Sequence, residues 1–287
     1  MRVLRRSEQI PRFRQARRAK ALIEAINARD EPLALWLLKH GVDPHARDPK
    51  GRSALWWAAT FDQANIIREL VKRGAKLPDD ALMGPVNAGD ERTVRFLIQS
   101  GANVNCIASQ YSPVGWFYHR EVLLTRAIGC AAHDPMLESI SILLIRAGAR
   151  VNRGILASPI PGLHNRSMLA LAACDGQLKT VKALLTAGAR VNRRDNFGRT
   201  ALFDALEQGR LPVAKALLRA GARTGVRDLH GLTPAASLRR TEQSRDMIST
   251  QLCIGHGIKI EKAQLDKEAA ACQRLRSRML ALLDRYT

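Results

Sequence analysis

Residues 200–223 read Thr200-Ala-Leu-Phe-Asp-Ala-Leu-Glu-Gln-Gly-Arg-Leu-Pro-Val-Ala-Lys-Ala-Leu-Leu-Arg-Ala-Gly-Ala-Arg223. Threonine at the start can accept a hydrogen bond from a free N–H of a helix's first turn. Ala-Leu-Phe-Asp-Ala-Leu continues that helix, and Gly209 marks a turn. A second helix follows with Val213, Leu217 and Leu218 on one stripe. Gly221 then supplies the left-handed residue that closes many helices. A single helix pair of this size cannot bury its own apolar stripe, so it needs neighbours of the same kind.

Those neighbours are present. A Gly-plus-apolar pair recurs at Gly41, Gly74, Gly101, Gly148, Gly188, Gly221 and Gly257. The residues four and three before each glycine are apolar every time, from Leu37-Leu38 through Leu217-Leu218 to Cys253-Ile254. Helix starts of the form Ser53-Ala-Leu-Trp, Asp80-Ala-Leu-Met and Ser167-Met-Leu-Ala stand at the same offset as Thr200-Ala-Leu-Phe, and Thr233-Pro-Ala-Ala fills that role further on. A polar Asp-x-x-Gly segment precedes several of them: Asp48-Pro-Lys-Gly, Asp195-Asn-Phe-Gly and Asp228-Leu-His-Gly.

The pattern resembles the ankyrin repeat family. Ser167-Met-Leu-Ala-Leu-Ala-Ala through Leu184-Leu-Thr-Ala-Gly-Ala-Arg-Val-Asn192 matches its consensus over the full unit. The resemblance implies an all-α solenoid of about seven helix-turn-helix units with hairpin loops over 18–258, closed by a capping helix over 259–287. On that helix Leu265, Cys272, Leu275, Met279 and Leu282 share one face. Residues 1–17 stand ahead of the repeats as a basic arm, with Arg2, Arg5, Arg6, Arg12, Arg14 and Arg17 against Glu8. Two insertions interrupt the units, 103–121 and 153–166. The family's usual histidine is absent; Trp56, Met83, Thr125, Ala170, Phe203 and Ala236 occupy its place, so the inter-repeat hydrogen bonds it implies are expected to be missing.

The composition agrees with a folded, helix-rich chain: 46% apolar residues, 25% charged and few aromatics. Net charge is +20, with 35 Arg and 11 Lys. Such a field attracts acidic partners, although a coding bias toward Arg would raise the charge with no partner involved. Five separated cysteines without a C-x-x-C make neither a disulfide framework nor a zinc site, and fit a reducing compartment. The charged N-terminus leads into no apolar signal core, and no stretch suits a membrane span. A cytoplasmic protein is expected, with delivery elsewhere left open.

No phosphate loop, H-E-x-x-H, G-x-S-x-G or kinase motif set occurs, so neither an enzyme nor a cofactor is expected. The arginines are the better lead. In an ankyrin-like stack the hairpins and first helices line a concave surface. Arg52, Arg166 and Arg199 stand just before helix starts; Arg47, Arg194 and Arg227 stand just before the hairpin aspartate or its equivalent; Lys50 and Arg193 lie beside them. Guanidinium groups in a row suit carboxylates, each binding two oxygens at once. Trp116, Phe117 and Tyr118 in the first insertion add candidate aromatic contacts. The expectation is a monomeric, non-catalytic scaffold that binds an acidic protein surface. The alternative is a nucleic-acid or anionic-membrane binder that uses the positive field and the basic arm.

Overall fold

The computed structural model describes residues 4–108, 121–131, 135–153, 166–240 and 262–286. The helices are α1 (Leu4–Asn27), α2 (Glu31–Lys39), α3 (Ala54–Thr60), α4 (Ala64–Lys72), α5 (Met83–Ala88), α6 (Glu91–Gln99), α7 (Leu123–Cys130) and α8 (Pro135–Arg146). They continue with α9 (Met168–Asp175), α10 (Leu178–Thr186), α11 (Ala201–Glu207), α12 (Leu211–Arg219), a helical stretch at 234–240 (α13), and α14 (Lys262–Asp284). One two-stranded sheet pairs β1 (Ile107–Ala108) with β2 (Glu121–Val122) at the ends of the first insertion. Trp116, Phe117 and Tyr118 lie outside the described residues, as do the seventh glycine, Gly257, and most of the second insertion.

Six of the seven repeat glycines are described, and all six are left-handed, with φ between 80° and 88°. Each ends its helix in the same way. The Gly221 N–H donates to Leu218 O and the Ala222 N–H to Leu217 O, both at 3.0 Å. The same pair of bonds recurs at Gly41, Gly74, Gly101, Gly148 and Gly188. This is the Schellman closure, which needs a residue that tolerates positive φ. Helix starts are local too where a cap bond forms, but two expectations are corrected: Thr200 makes no cap bond and its buried Oγ1 has no partner among the described residues, and α5 begins at Met83, beyond Asp80. Ser53 Oγ accepts from Trp56 N, and Ser167 Oγ from Ala170 N, both at 3.0 Å; Asp30 and Asp90 cap α2 and α6 with their carboxylates.

Two compact units result: 1–110 with 122–127 and 135–149, and 111–121 with 128–134 and 150–287. In the first, α1, α3 and α5 pack in series as inner helices while α2, α4, α6 and α8 pack as an outer row. In the second, α9 packs on α11 and α10 on α12, and α14 packs on α12. The leucine four residues before each repeat glycine is the core residue: Leu38's neighbour Leu37, Leu70, Leu97, Leu144, Leu184 and Leu217 are all buried. On α14, Met279 and Leu283 are buried, and Leu275 lies against Gly209. The basic N-terminal stretch is helical from Leu4 and continuous with the first repeat helix. Its apolar side starts at Leu22, Ile23 and Ile26, which are buried, whereas Arg17 and Arg18 are exposed.

Neighbouring repeats are also joined by polar side chains. Asn152 Nδ2 donates to Gly188 O at 2.9 Å and its Oδ1 accepts from Arg190 N at 2.8 Å; Asn192 repeats both bonds with Gly221 O and Arg223 N. Gln63 and Gln177, both buried, donate to Ile26 O and Ile128 O at 2.8 Å. Trp56, at the histidine position, donates from Nε1 to Asp80 Oδ2 at 3.0 Å. The loss of the family histidine therefore does not leave the repeats without cross-links, because amide side chains and one indole make them.

The short turns inside the helix pairs, apart from α7–α8, also take positive φ, at Arg29 between α1 and α2 among them. Gly89, Gly176 and Gly209 meet that need, but Asp62 adopts φ 53° there with a side chain. Its Oδ1 is buried with no hydrogen-bond partner among the described residues. Burial, and then the charge of Asp90, pushes its carboxyl up to about 6. Asp62→Asn keeps the tolerance for this conformation and removes the charge. It is expected to stabilise the chain by about 1 kcal/mol at neutral pH, after allowance for partial solvation. In the wild type, protonation favours folding. That stability is complete below 3.8 and is lost as the pH rises through about 6. Urea titrations across this window should show the dependence shrink in the variant; equal pH profiles would count against it.

Candidate binding surface

The three Arg-Asp-x-x-Gly hairpins are built alike. Asp48 Oδ1 accepts from the N–H groups of Lys50 and Arg52 at 2.9 and 2.8 Å. Asp195 accepts from Phe197 and Arg199, both at 2.9 Å, and Asp228 from His230 and Leu232 at 2.9 and 2.8 Å. The preceding arginine closes each turn from the side. Arg47 Nη1 donates to Gly51 O at 2.7 Å, Arg194 Nε to Gly198 O at 2.9 Å, and Arg227 Nη1 to Gly231 O at 2.8 Å. Arg194 Nη2 also donates to the carbonyl of Arg227, tying two successive hairpins together. Arg47, Arg194 and Arg227 remain exposed, as does Lys50. Each guanidinium is thus oriented by its own hairpin and keeps N–H groups for a further acceptor, since arginine carries five.

The other expected groove arginines are placed differently. Arg166 pairs with Asp204 on α11, and the two side chains are only 15% and 11% exposed. Arg199 Nη2 lies 2.5 Å from Glu207 Oε2 with its guanidinium over the Phe203 ring, and Ser237 Oγ donates to Glu207 at 2.5 Å. Burial pushes the Asp204 carboxyl up to about 6 while Arg166 and Arg199 pull the other way. Arg52 Nε donates to Asp48 Oδ2 at 2.7 Å, and Arg193 donates to the Asn152 carbonyl. Burial would raise the Asp48 carboxyl, but the Arg52 and Trp57 hydrogen bonds and the Arg52 charge hold it below the usual carboxylate range. The arginines thus fall into two groups. The arginines before the helix starts face their own carboxylates, and those before the hairpin aspartates face outward.

Two features were not foreseen from the sequence. In the first unit Arg52 sits 4.1 Å from the Trp57 ring, Trp57 stacks on Phe61 at 5.6 Å, and Arg29 lies 5.5 Å from Phe61. This alternation of cation and ring is the setting for cation–π attraction. The doublet Trp56-Trp57 at the histidine position was the available signal. In the second unit the hairpin tips Phe197 and Leu229 are exposed side by side, joined by Leu229 N–H to Phe197 O at 2.9 Å.

Cys106 is buried, and burial followed by the Asp80 charge pushes its thiol up to about 11, so it is a poor nucleophile. Among the described residues no His, Cys, Asp and Glu converge as a set that could hold a metal ion. No described helix is long and apolar enough to cross a membrane.

Comparison with known proteins agrees with this architecture. The family described as ankyrin repeats (3 copies) matches residues 22–108 and 128–228. The chain is similar to ankyrin repeat and SOCS box protein 6 of Mus musculus, 31% identical over 148 residues, covering 49% of this chain and 31% of that protein. The Homo sapiens protein of the same name is 29% identical over 171 residues, 57% of this chain and 36% of that one. The chain thus spans about a third of the length of the curated relatives it matches. Repeats of this kind generally mediate protein–protein interaction and are generally non-catalytic. With the family match spanning more than half of its length, the chain belongs to the ankyrin repeat family.

Proposed function

We propose that the protein is a non-catalytic, cytoplasmic scaffold that binds an acidic protein surface through its hairpin arginines. The observation that carries this reading is the repeated presentation of Arg47, Arg194 and Arg227. Each is exposed and held against its own hairpin glycine carbonyl. Preorganised guanidinium groups lose less conformational freedom on binding and can grip carboxylates with two bonds each. The net charge of +20 adds long-range steering toward an acidic partner. Arg52, Arg166 and Arg199 act in this reading as internal braces.

The test is affinity capture from nuclease-treated lysate at near-physiological salt. Wild type is compared with a variant carrying Glu at Arg47, Arg194 and Arg227, after circular dichroism has shown both folded. A discrete protein retained by wild type and lost by the variant is the expected outcome. Equal retention would move the contact away from the hairpins. Nucleic acid bound before nuclease, with no discrete protein after it, would overturn the reading in favour of a nucleic-acid binder.

A further inference from the structure

The second unit contains a groove of about 740 Å³ between the loop 221–227 and the end of α14. Asn152 and Asn192 each reach forward to the glycine carbonyl of the next repeat, at Gly188 and Gly221. The position that follows in the series is Gly225, which has no side chain to reach with. Gly225 lines the groove, and Tyr286, 45% exposed, forms part of its wall.

The lining divides into two chemistries. Arg194, Arg223 and Arg227 supply three guanidinium groups, and no carboxylate lines the groove among the described residues. Arg223 is exposed and its guanidinium has no hydrogen bond or ion pair among those residues; only its backbone N–H is engaged, by Asn192 Oδ1. Arg227 gives one N–H to Gly231 O and keeps the rest. Against them stand Leu218, Val226 and the Tyr286 ring. A volume of this order is typical of ligand sites, which occupy roughly 300–1,000 Å³. Three positive charges with no carboxylate among the described lining residues concentrate the field on an anion in a concave site. The apolar wall asks in addition for a side chain that a phosphate backbone does not offer.

We propose that this groove holds a short acidic segment of a partner protein, with carboxylates on Arg194, Arg223 and Arg227 and an apolar side chain against Val226 and Tyr286. The proposal rests on the reading of the chain as a binder of acidic protein and gives that contact a specific seat outside the hairpin tips. It differs from the hairpin contact in needing Arg223 and Tyr286, which the hairpins do not use.

The experiment uses the full chain and a fluorescein-labelled decapeptide of alternating Glu and Leu, followed by fluorescence anisotropy at near-physiological salt. Arg223→Glu is expected to weaken binding by about tenfold or more, and Tyr286→Ala by severalfold. Lys72→Glu, an exposed charge reversal in the last turn of α4 in the other unit, is expected to leave the affinity unchanged. Both groove positions are exposed, so folding should survive, and circular dichroism checks it. If Arg223→Glu and Tyr286→Ala bind as wild type does, the groove assignment is overturned while acidic binding stands. If wild type does not bind the peptide, the groove assignment also falls, and lysate capture alone then judges the hairpin reading. If unlabelled oligothymidylate displaces the label better than unlabelled peptide, the site belongs to nucleic acid and the proposal fails.

Discussion

Gly84→Ala is expected to destabilise the first unit by about 3 kcal/mol or more, the upper end of what overpacking costs. A Cβ at this position would lie 1.5 Å from the Ala59 carbonyl oxygen and 2.5 Å from its carbon. Both are backbone atoms of α3, so no side-chain rotation relieves the overlap. The helices themselves must part, which opens the α3–α5 contact that links two repeats. The effect is one of space, since Gly84 is not among the glycines with positive φ. Gly129 in α7 is the control, because among the described residues nothing lies within 4 Å of an added Cβ there. Gly129→Ala should be neutral or stabilising by up to about 1 kcal/mol, the usual gain of alanine over glycine in a helix. Urea unfolding followed at 222 nm reads both variants. A Gly84→Ala midpoint equal to wild type would show that the two helices do not approach so closely.

Asp204→Ala is expected to cost about 3–5 kcal/mol, because it leaves Arg166 buried without its carboxylate. The pair ties the residue ahead of α9 to the middle of α11, the next inner helix of the second unit. Replacing both partners, with Arg166→Met and Asp204→Leu together, should recover much of the loss, since apolar groups of similar size carry no desolvation penalty. A double-mutant cycle from chemical denaturation gives the coupling directly. The double variant has a second use. If Arg166 is a brace, the folded double variant still captures the acidic partner that the hairpin variant loses. An Asp204→Ala protein with wild-type stability would show that Arg166 is free, and would return it to the set of docking residues.

These two positions mark the limit of what can be read from a linear sequence. Gly84 looks like one more glycine near a Pro; only the approach of α3 makes it irreplaceable. Arg166 and Arg47 look equivalent, as arginines beside helix starts and hairpins. Arg47 meets a glycine carbonyl four residues away, so its geometry follows from its own hairpin. Arg166 meets a carboxylate 38 residues away, a distance that only folding closes.

The elements the sequence determined by itself are those whose partners lie within one turn. The glycine closures, the Ser53 and Ser167 caps, the Asp-x-x-Gly hairpins and the buried leucine before each described repeat glycine all depend on neighbours a few residues apart, and repetition made them legible, whereas the cap expected of Thr200 does not form. The fold class followed, because helix pairs with one apolar stripe must stack. The tertiary structure decided which arginines face solvent, which aromatic rings stack on cations, and which arginines share a groove with Tyr286. Each of these depends on which side chain of the next repeat stands opposite. Stacking sets that pairing in space, and no spacing along the chain encodes it.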